Sequence, residues 1–271
     1  MIEALQVMLS YAILRRALAV GCLVALLAAL IGVSLVLKRY SMIGDGRSHV
    51  GFGAMAVATA LNAAPLMVAT PVVIAAAFFL LRLRDNGHLK GDAAIAMISS
   101  ASLSVGVLIV SLSGVNTDLN SYMFGSILSL SRADARLSLI LGGVALLLFV
   151  LFYHRIFAVT FDEDFARATG TRANLCSTLL AVLTAVVVVL GMRMMGALLI
   201  SSLIIFPPLS AMQVGRSFSS VTIIAAAISL ICFIVGMLLS FMWAAPSGAM
   251  IVVVNVVAYM IFALVGYMKR R

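Results

Sequence analysis

The chain alternates long apolar runs with short interruptions that are basic or rich in glycine and proline. The runs lie at approximately 16–37, 46–62, 64–81, 93–113, 137–154, 174–191, 195–213, 219–242 and 248–267. A helix needs about 20 apolar residues to cross a bilayer, whereas a barrel strand needs about ten. Backbone groups left unpaired in lipid are costly, which favours helices for runs of this length. The pattern predicts an all-α integral membrane protein, a polytopic bundle of about eight or nine transmembrane helices. The count turns on the seventh run, where Pro207-Pro208 removes two helix donors and is expected to split the segment. All of 1–271 reads as a single transmembrane domain, with no room for a soluble one.

Composition agrees: 64% of residues are apolar and 10% charged, with a mean hydropathy of +1.23. The net charge of +9 is not a nucleic-acid footprint. The 18 basic residues stand singly or in pairs at run ends, as expected of a polytopic protein that orients by its cytoplasmic positive charge. Placing the loop 82–92 in the cytoplasm, with Arg82, Arg84 and Lys90, puts Lys38-Arg39, Arg155, Arg167, Arg172, Arg216 and Lys269 to Arg271 there too. The N-terminus then falls outside, with Arg15, Arg16, Arg132, Arg136 and Arg193 as exceptions. Arg15-Arg16 precede a run long enough to span, so the start reads as a span rather than a cleaved signal. Cys22, Cys176 and Cys232 are far apart in apolar sequence. They read as core residues rather than a disulfide framework or metal cluster. The methionines read as core filler. There is no phosphate-binding loop, so any ATP is bound by another chain.

Three stretches carry candidate chemistry. In "GDGRSHVGFGAMA", Asp45 and His49 are four residues apart, hence on one helix face. A carboxylate and an imidazole so placed can hold a divalent cation; imidazole suits zinc, and carboxylate extends the range to manganese and iron. Two ligands make a weak site, which suits an ion that must leave. The other reading makes Asp45 a helix cap and His49 a hydrogen-bonding group against a neighbouring helix. Arg47, about 200° round the helix from Asp45, is expected to snorkel to lipid headgroups. Gly46, Ser48, Gly51, Gly53, Ala54 and Ala56 predict close packing and a central place in the bundle. Asp92 opens another run and reads as a cap.

The second stretch is "FDEDFARATG", 161–170. Asp162, Glu163 and Asp164 suit a helix N-terminus, and Gly170 suits its end. Phe161, Phe165 and Ala168 or Thr169 form an apolar stripe. The segment either docks into a groove on another protein or packs on its own bundle. The third is "GMRMMGALLISSLIIFPPLSAM", where Arg193 and the carbonyls freed by Pro207 and Pro208 point to a gate or a structural kink. Freed carbonyls at membrane depth must be covered by protein or line a cavity. A short interfacial helix is expected at 119–130, and His88 and His154 read as solvated or interfacial.

The stretch "RRALAVGCLVALLAALIGVSLVLKRYSMIGDGRSHVGFGAMAVA" is followed in order by "GDAAIAMISSASLSVGVLIVS", "YMFGSILSLS", "FDEDFARATG", "MGALLISSLIIFPPLSAM" and "APSGAMIVVV". Together, from about residue 14 to 266, they resemble the permease subunits of metal-cation (zinc/manganese/iron) ABC importers. The resemblance implies a homodimeric permease in the bacterial plasma membrane, two ATP-binding subunits on its cytoplasmic face, and an extracytoplasmic metal-binding protein. It implies that Asp45 and His49 are transient ligands of a transported divalent ion, zinc first and manganese next. It places the ATPase contact on Phe161, Asp162, Glu163, Phe165, Arg167 and Gly170. No cofactor is expected to be permanently bound, and no catalysis is expected of this chain. Members often carry L-P-G just after the histidine; here Gly51-Phe52-Gly53 stands instead, which makes Phe52 a gate candidate beside Arg193, Pro207 and Pro208. Arg47 also departs from the pattern. The alternatives are a permease for metal-chelate or cobalamin-like cargo, a stand-alone ion-coupled secondary transporter, and a non-transporting scaffold. Paired broken helices in inverted halves would favour the second, and only one clearly broken run is present.

Overall fold

The computed structural model describes residues 10–38, 40–85, 91–113, 125, 130–197 and 199–270. Their helices, in chain order, are α1 (Ala12–Leu37), α2 (Ser41–Ala60), α3 (Pro65–Asp85), α4 (Gly91–Leu112), α5 (Arg132–Leu151), α6 (Tyr153–Phe161), α7 (Glu163–Ala168), α8 (Ala173–Met195), α9 (Ile200–Met212), α10 (Phe218–Trp243) and α11 (Ser247–Arg270). Among the described residues, six helices are long and apolar enough to cross a membrane: α1, α4, α5, α8, α10 and α11. The apolar parts of α3 and α9 are shorter, and α2, which carries Asp45, Arg47 and His49, is not among the six. His88 and most of 119–130 lie outside the described residues.

Burial sorts the helices into an inner and an outer set. About two thirds of the most apolar stretch of α1 and of α8 is buried, against 17% of that of α4 and α11. The outer helices turn large apolar side chains outward, among them Leu108, Leu112, Ile140, Met260 and Leu264. Such a surface is stable only against lipid or another apolar chain. Inner helices are apolar on every side, as buried helices must be.

The fifth run departs from its expected bounds. Its helix starts at Arg132, capped by Ser131, whose hydroxyl accepts from the Asp134 amide at 3.0 Å. It ends at Leu151 rather than 154, and Tyr153 opens a separate helix. Residues 155–173, which separate the fifth and sixth apolar runs, are therefore largely helical.

The seventh run is not broken at its prolines. Pro207 and Pro208 lie buried inside an unbroken α9, and the interruption falls upstream, where Gly196 turns the chain at φ +87°. The two missing donors free the carbonyls of Leu203 and Ile204. The Ile204 carbonyl is covered by Gly32 of α1, where any added side chain would collide with it. Close helix approach through a glycine thus meets the need to bury a freed carbonyl at membrane depth.

One end of the bundle collects Lys38, α6, α7 and the start of α10. Phe157 and Phe161 pack against Phe218, tilted and edge-on, with centroids 5.0 and 5.9 Å away. Arg216 lines a recess with Phe161 and Leu37. At the far end of α8, Arg193 pairs with Asp134 at 2.7 Å. The first end therefore gathers the residues whose charges the sequence assigns to one side of the membrane.

Candidate metal path and coupling face

Helix α2 is wedged into the bundle by its small residues. On one face, a Cβ at Gly46 would lie 2.7 Å from Ile95 Cγ2, and one at Gly53 would lie 2.9 Å from the Ser102 carbonyl. Gly106 of α4 reciprocates: a Cβ there would be 3.0 Å from both Gly53 Cα and the Phe52 ring. On the opposite face Gly44 meets Ile204 of α9 and Gly51 meets Met192 of α8. The central place expected for this helix is the one it occupies.

Asp45 is the fifth residue of α2, and Tyr40 holds the N-cap position without a side-chain cap bond. Asp45 is therefore not the cap. Its side chain lies outside the described residues, as does that of Asp92. Helical rise puts Asp45 about 6 Å and His49 about 12 Å along the axis from Ser41. Between Gly44 and Ala56 every described residue is buried except His49, which is partly exposed. Phe52, three residues further on, is buried against Gly106. Among the described residues no group of three His, Cys, Asp or Glu side chains could hold a metal ion.

Arg47 does not reach lipid headgroups. It is 1% exposed and is the largest of the fully buried side chains. Its Nε and Nη1 have no hydrogen-bond partner among the described residues. The cause is its position: it shares a face with Gly44 and Gly51, the residues that bring α9 and α8 against α2. That contact closes the route along which its stem would snorkel.

Of the gate candidates, Pro207 and Pro208 are buried in α9. Arg193 donates from Nη2 to Asp134 Oδ2 and so fastens the end of α8 to the start of α5. Gly125, at φ +78°, lies against this turn; a Cβ there would sit 2.6 Å from the Gly196 amide. Only glycine combines that backbone angle with that approach.

The 161–170 segment is two helix ends meeting at Asp162, so Phe161 and Phe165 lie on different helices. Asp162 caps α7, accepting from the Phe165 amide at 2.9 Å. Glu163 accepts from Lys38 Nζ at 3.4 Å and from Arg167 Nη2 at 2.8 Å. Arg167 also donates to Asn174 Oδ1 at 3.1 Å. Ala166 is buried with Val159, Ala173 and Cys176. Gly170 ends the segment at φ +83°, as its stop role requires. Asp162, Glu163, Arg167 and Gly170 thus shape and fasten the segment, while Phe161 and Phe165 remain about 60% and 65% exposed. Lys38 is the fastening residue that sequence reading missed. It stands 125 residues from Glu163, and no local pattern links the two.

Residues 10–266 match the ABC 3 transport family. The chain is 30% identical over 254 residues to a probable metal transport system membrane protein of Thermotoga maritima, covering 93% of this chain and 90% of that one. It is 30% identical over 258 residues to the manganese transport system membrane protein MntC of Halalkalibacterium halodurans, covering 95% and 87%. Its fold is similar to that of a chain in PsaBC from Streptococcus pneumoniae in complex with Fab, with a TM-score of 0.87, 26% identity, and coverage of 97% and 95%. A match over nearly the whole length, together with the apolar helical bundle, leads to one conclusion: this chain belongs to the ABC 3 transport family.

Proposed function

We propose that this chain is the membrane-spanning permease of an ATP-driven importer of divalent metal cations, with Asp45 and His49 as transient ligands on the ion's path. The chain is a multi-pass protein of the bacterial plasma membrane. The observation that carries the path assignment is the exposure pattern of α2: along a helix otherwise buried from Gly44 to Ala56, His49 alone among the described residues keeps access to the outside. The same stripe holds Asp45 one turn away. A second copy of the chain facing that stripe would enclose the ion between two permeases. Phe52, one turn beyond His49, narrows the path. Arg193 holds the outer end of α8, and Pro207 and Pro208 keep α9 closely packed on α1.

Manganese stands beside zinc as cargo. The Halalkalibacterium relative carries a manganese name, and one carboxylate with one imidazole suits either ion. An extracytoplasmic binding protein delivers the ion, and a separate ATP-binding subunit hydrolyses ATP against Phe161 and Phe165. In this reading α2, α3 and α9 complete nine crossings of a single permease domain, because α9 must return the chain to the end where α10 begins. The test is ATP-dependent uptake of manganese and zinc into vesicles holding the assembled complex, comparing wild type with Asp45→Ala/His49→Ala. Loss of uptake with assembly and ATP hydrolysis intact supports the assignment; undiminished uptake removes both residues from the path.

A further inference from the structure

A groove of about 770 Å³ opens beside α7, between the α5–α6 corner and the start of α8. Its walls change character along their length. Leu148, Phe152, Leu175 and Leu179 line it along α5 and α8, and Arg155 and Arg172 line it where α6 and α8 begin, which makes that end its mouth. No acidic residue lines it. The nearby carboxylate of Glu163 is already engaged by Lys38 and Arg167. Arg155 is held over the Phe152 ring, 5.5 Å from its centroid. Helix α8 starts at the same mouth with Arg172 as its N-cap, no side-chain cap and no acidic residue in its first turn. That helix end adds partial positive charge to the two guanidinium groups.

We propose that this groove is a binding site for an anionic phospholipid of the cytoplasmic leaflet. The phosphate would lie between Arg155 and Arg172, and the acyl chains would lie along Leu148, Leu175 and Leu179. Charge and shape select this occupant together. A soluble anion would satisfy the arginines but leave the leucine wall bare. A zwitterionic lipid would satisfy the wall but offer the mouth less net negative charge. The wall is also continuous with the outward face of α5, where Leu147, Val150 and Leu151 are exposed, so a lipid enters from the bilayer without crossing protein. Basic pockets between transmembrane helices at the cytoplasmic side bind lipid headgroups by the same physics. The groove shares a rim with the coupling segment at Thr169 and Gly170, but it lies away from Phe161. Arg155 lies about 200° round α6 from Tyr153, whose side of the helix carries Phe157 and Phe161 against Phe218.

The experiment is native mass spectrometry of the permease purified with its ATP-binding subunit, titrated with phosphatidylglycerol, phosphatidylcholine or glycerol phosphate. The wild-type complex should retain phosphatidylglycerol in preference to phosphatidylcholine. Each of Arg155→Gln and Arg172→Gln should weaken it about fivefold, and the pair about thirtyfold, from about 1 kcal/mol per basic residue at a membrane surface. Leu179→Ser should weaken the lipid without creating a preference for glycerol phosphate. Both arginines are exposed, and an unchanged thermal unfolding profile confirms that the variants fold. Equal retention of the two lipids, unchanged retention in the double variant, or glycerol phosphate binding as tightly as the lipid overturns the proposal. So does lipid that binds only to complexes that have shed the ATP-binding subunit in the spectrometer, which would make the groove a protein interface. The readout is lipid retention, so it stands or falls independently of metal transport.

Discussion

Helix α7 has six residues, far below the length at which a helix is stable alone. Its order must come from what fastens it, and Glu163 is the main candidate. Replacing Glu163 with Gln keeps the shape and removes the charge. The consequence is set by Lys38, whose side chain is 5% exposed while that of Glu163 is 33% exposed. Exposed ion pairs are worth about 0.2–1 kcal/mol, and stripping one partner from a buried pair costs about 3–5 kcal/mol. At 3.4 Å, with one member buried and the other partly wet, this pair falls between, at about 2 kcal/mol. Lys38 keeps Ser177 Oγ at 3.4 Å and the Tyr40 ring at 5.5 Å, which limits the loss. About 2 kcal/mol is roughly a thirtyfold shift in the docking of α7. Hydrogen exchange of the complex reads it directly, at the amides of Ala166, Thr169 and Thr171, which bond to Asp162, Phe165 and Ala166 carbonyls. They should exchange roughly ten to thirty times faster in Glu163→Gln and in Lys38→Met, and no faster in the double variant. Arg167→Gln should do less, because Arg167 is 53% exposed. Exchange within twofold of wild type in Glu163→Gln would refute the claim that this pair holds α7.

Gly106→Val should sharply reduce the yield of folded protein and its unfolding temperature, since even a Cβ at this position meets Gly53 Cα and the Phe52 ring at 3.0 Å; a wild-type melting curve would mean that α2 and α4 are not in contact there. Asp134→Asn or Arg193→Met should each cost about 2 kcal/mol in urea or thermal unfolding, because the side chains are only 16% and 12% exposed. The double variant should cost less than the sum, and strict additivity would mean no interaction. Arg47→Met should stabilise the protein, raising its unfolding temperature by about 5 °C, because it replaces a buried guanidinium whose Nε and Nη1 have no hydrogen-bond partner among the described residues with an apolar side chain of similar length; a lower unfolding temperature would show that the guanidinium is compensated.

How much was legible follows from where the signal lies. Membrane spans announce themselves by length and hydropathy, so α1, α4, α5, α8, α10 and α11 emerge from the sequence with ends off by a few residues. Capping chemistry is local too, and Asp162 and Gly170 take the places their residue types prescribe. The faces of α2 were not legible. Periodicity resolves a face only when polar and apolar residues contrast, and α2 is lined on opposite sides by glycines that pack against α4 and against α8 and α9. Nothing in the spacing distinguishes the side on which His49 opens from the side on which Arg47 is sealed. Reading Arg47 as a snorkelling residue failed for that reason: its stem has the reach, but the neighbouring helices remove the exit. The break before α9 was misplaced because proline is the louder signal, whereas Gly196, at φ +87°, bends the chain.

Contacts at long range connect α7 with the part of α2 that carries Asp45. Glu163 of α7 holds Lys38 at the end of α1. Gly32, further back along α1, seats the freed Ile204 carbonyl of α9. The Ile204 side chain then reaches Gly44 of α2, with its Cδ1 3.9 Å from where a Cβ would stand, one residue before Asp45. On the proposed function, a displacement of α7 by a partner would reach α1 through this ion pair and α2 by way of α9, Ile204 being one of the residues in contact. Contiguity is not coupling, but the chain of contacts has a weak member that can be named. The Lys38–Glu163 pair is its partly solvated step; every later step is apolar packing or a buried carbonyl against a glycine. If metal uptake and ATP hydrolysis are linked along this route, neutralising Glu163 will lower the metal carried per ATP while leaving the ion binding proposed for Asp45 and His49 unchanged. Neutralising Asp45 and His49 should, on the proposed path, abolish uptake and leave the docking of α7 as it was.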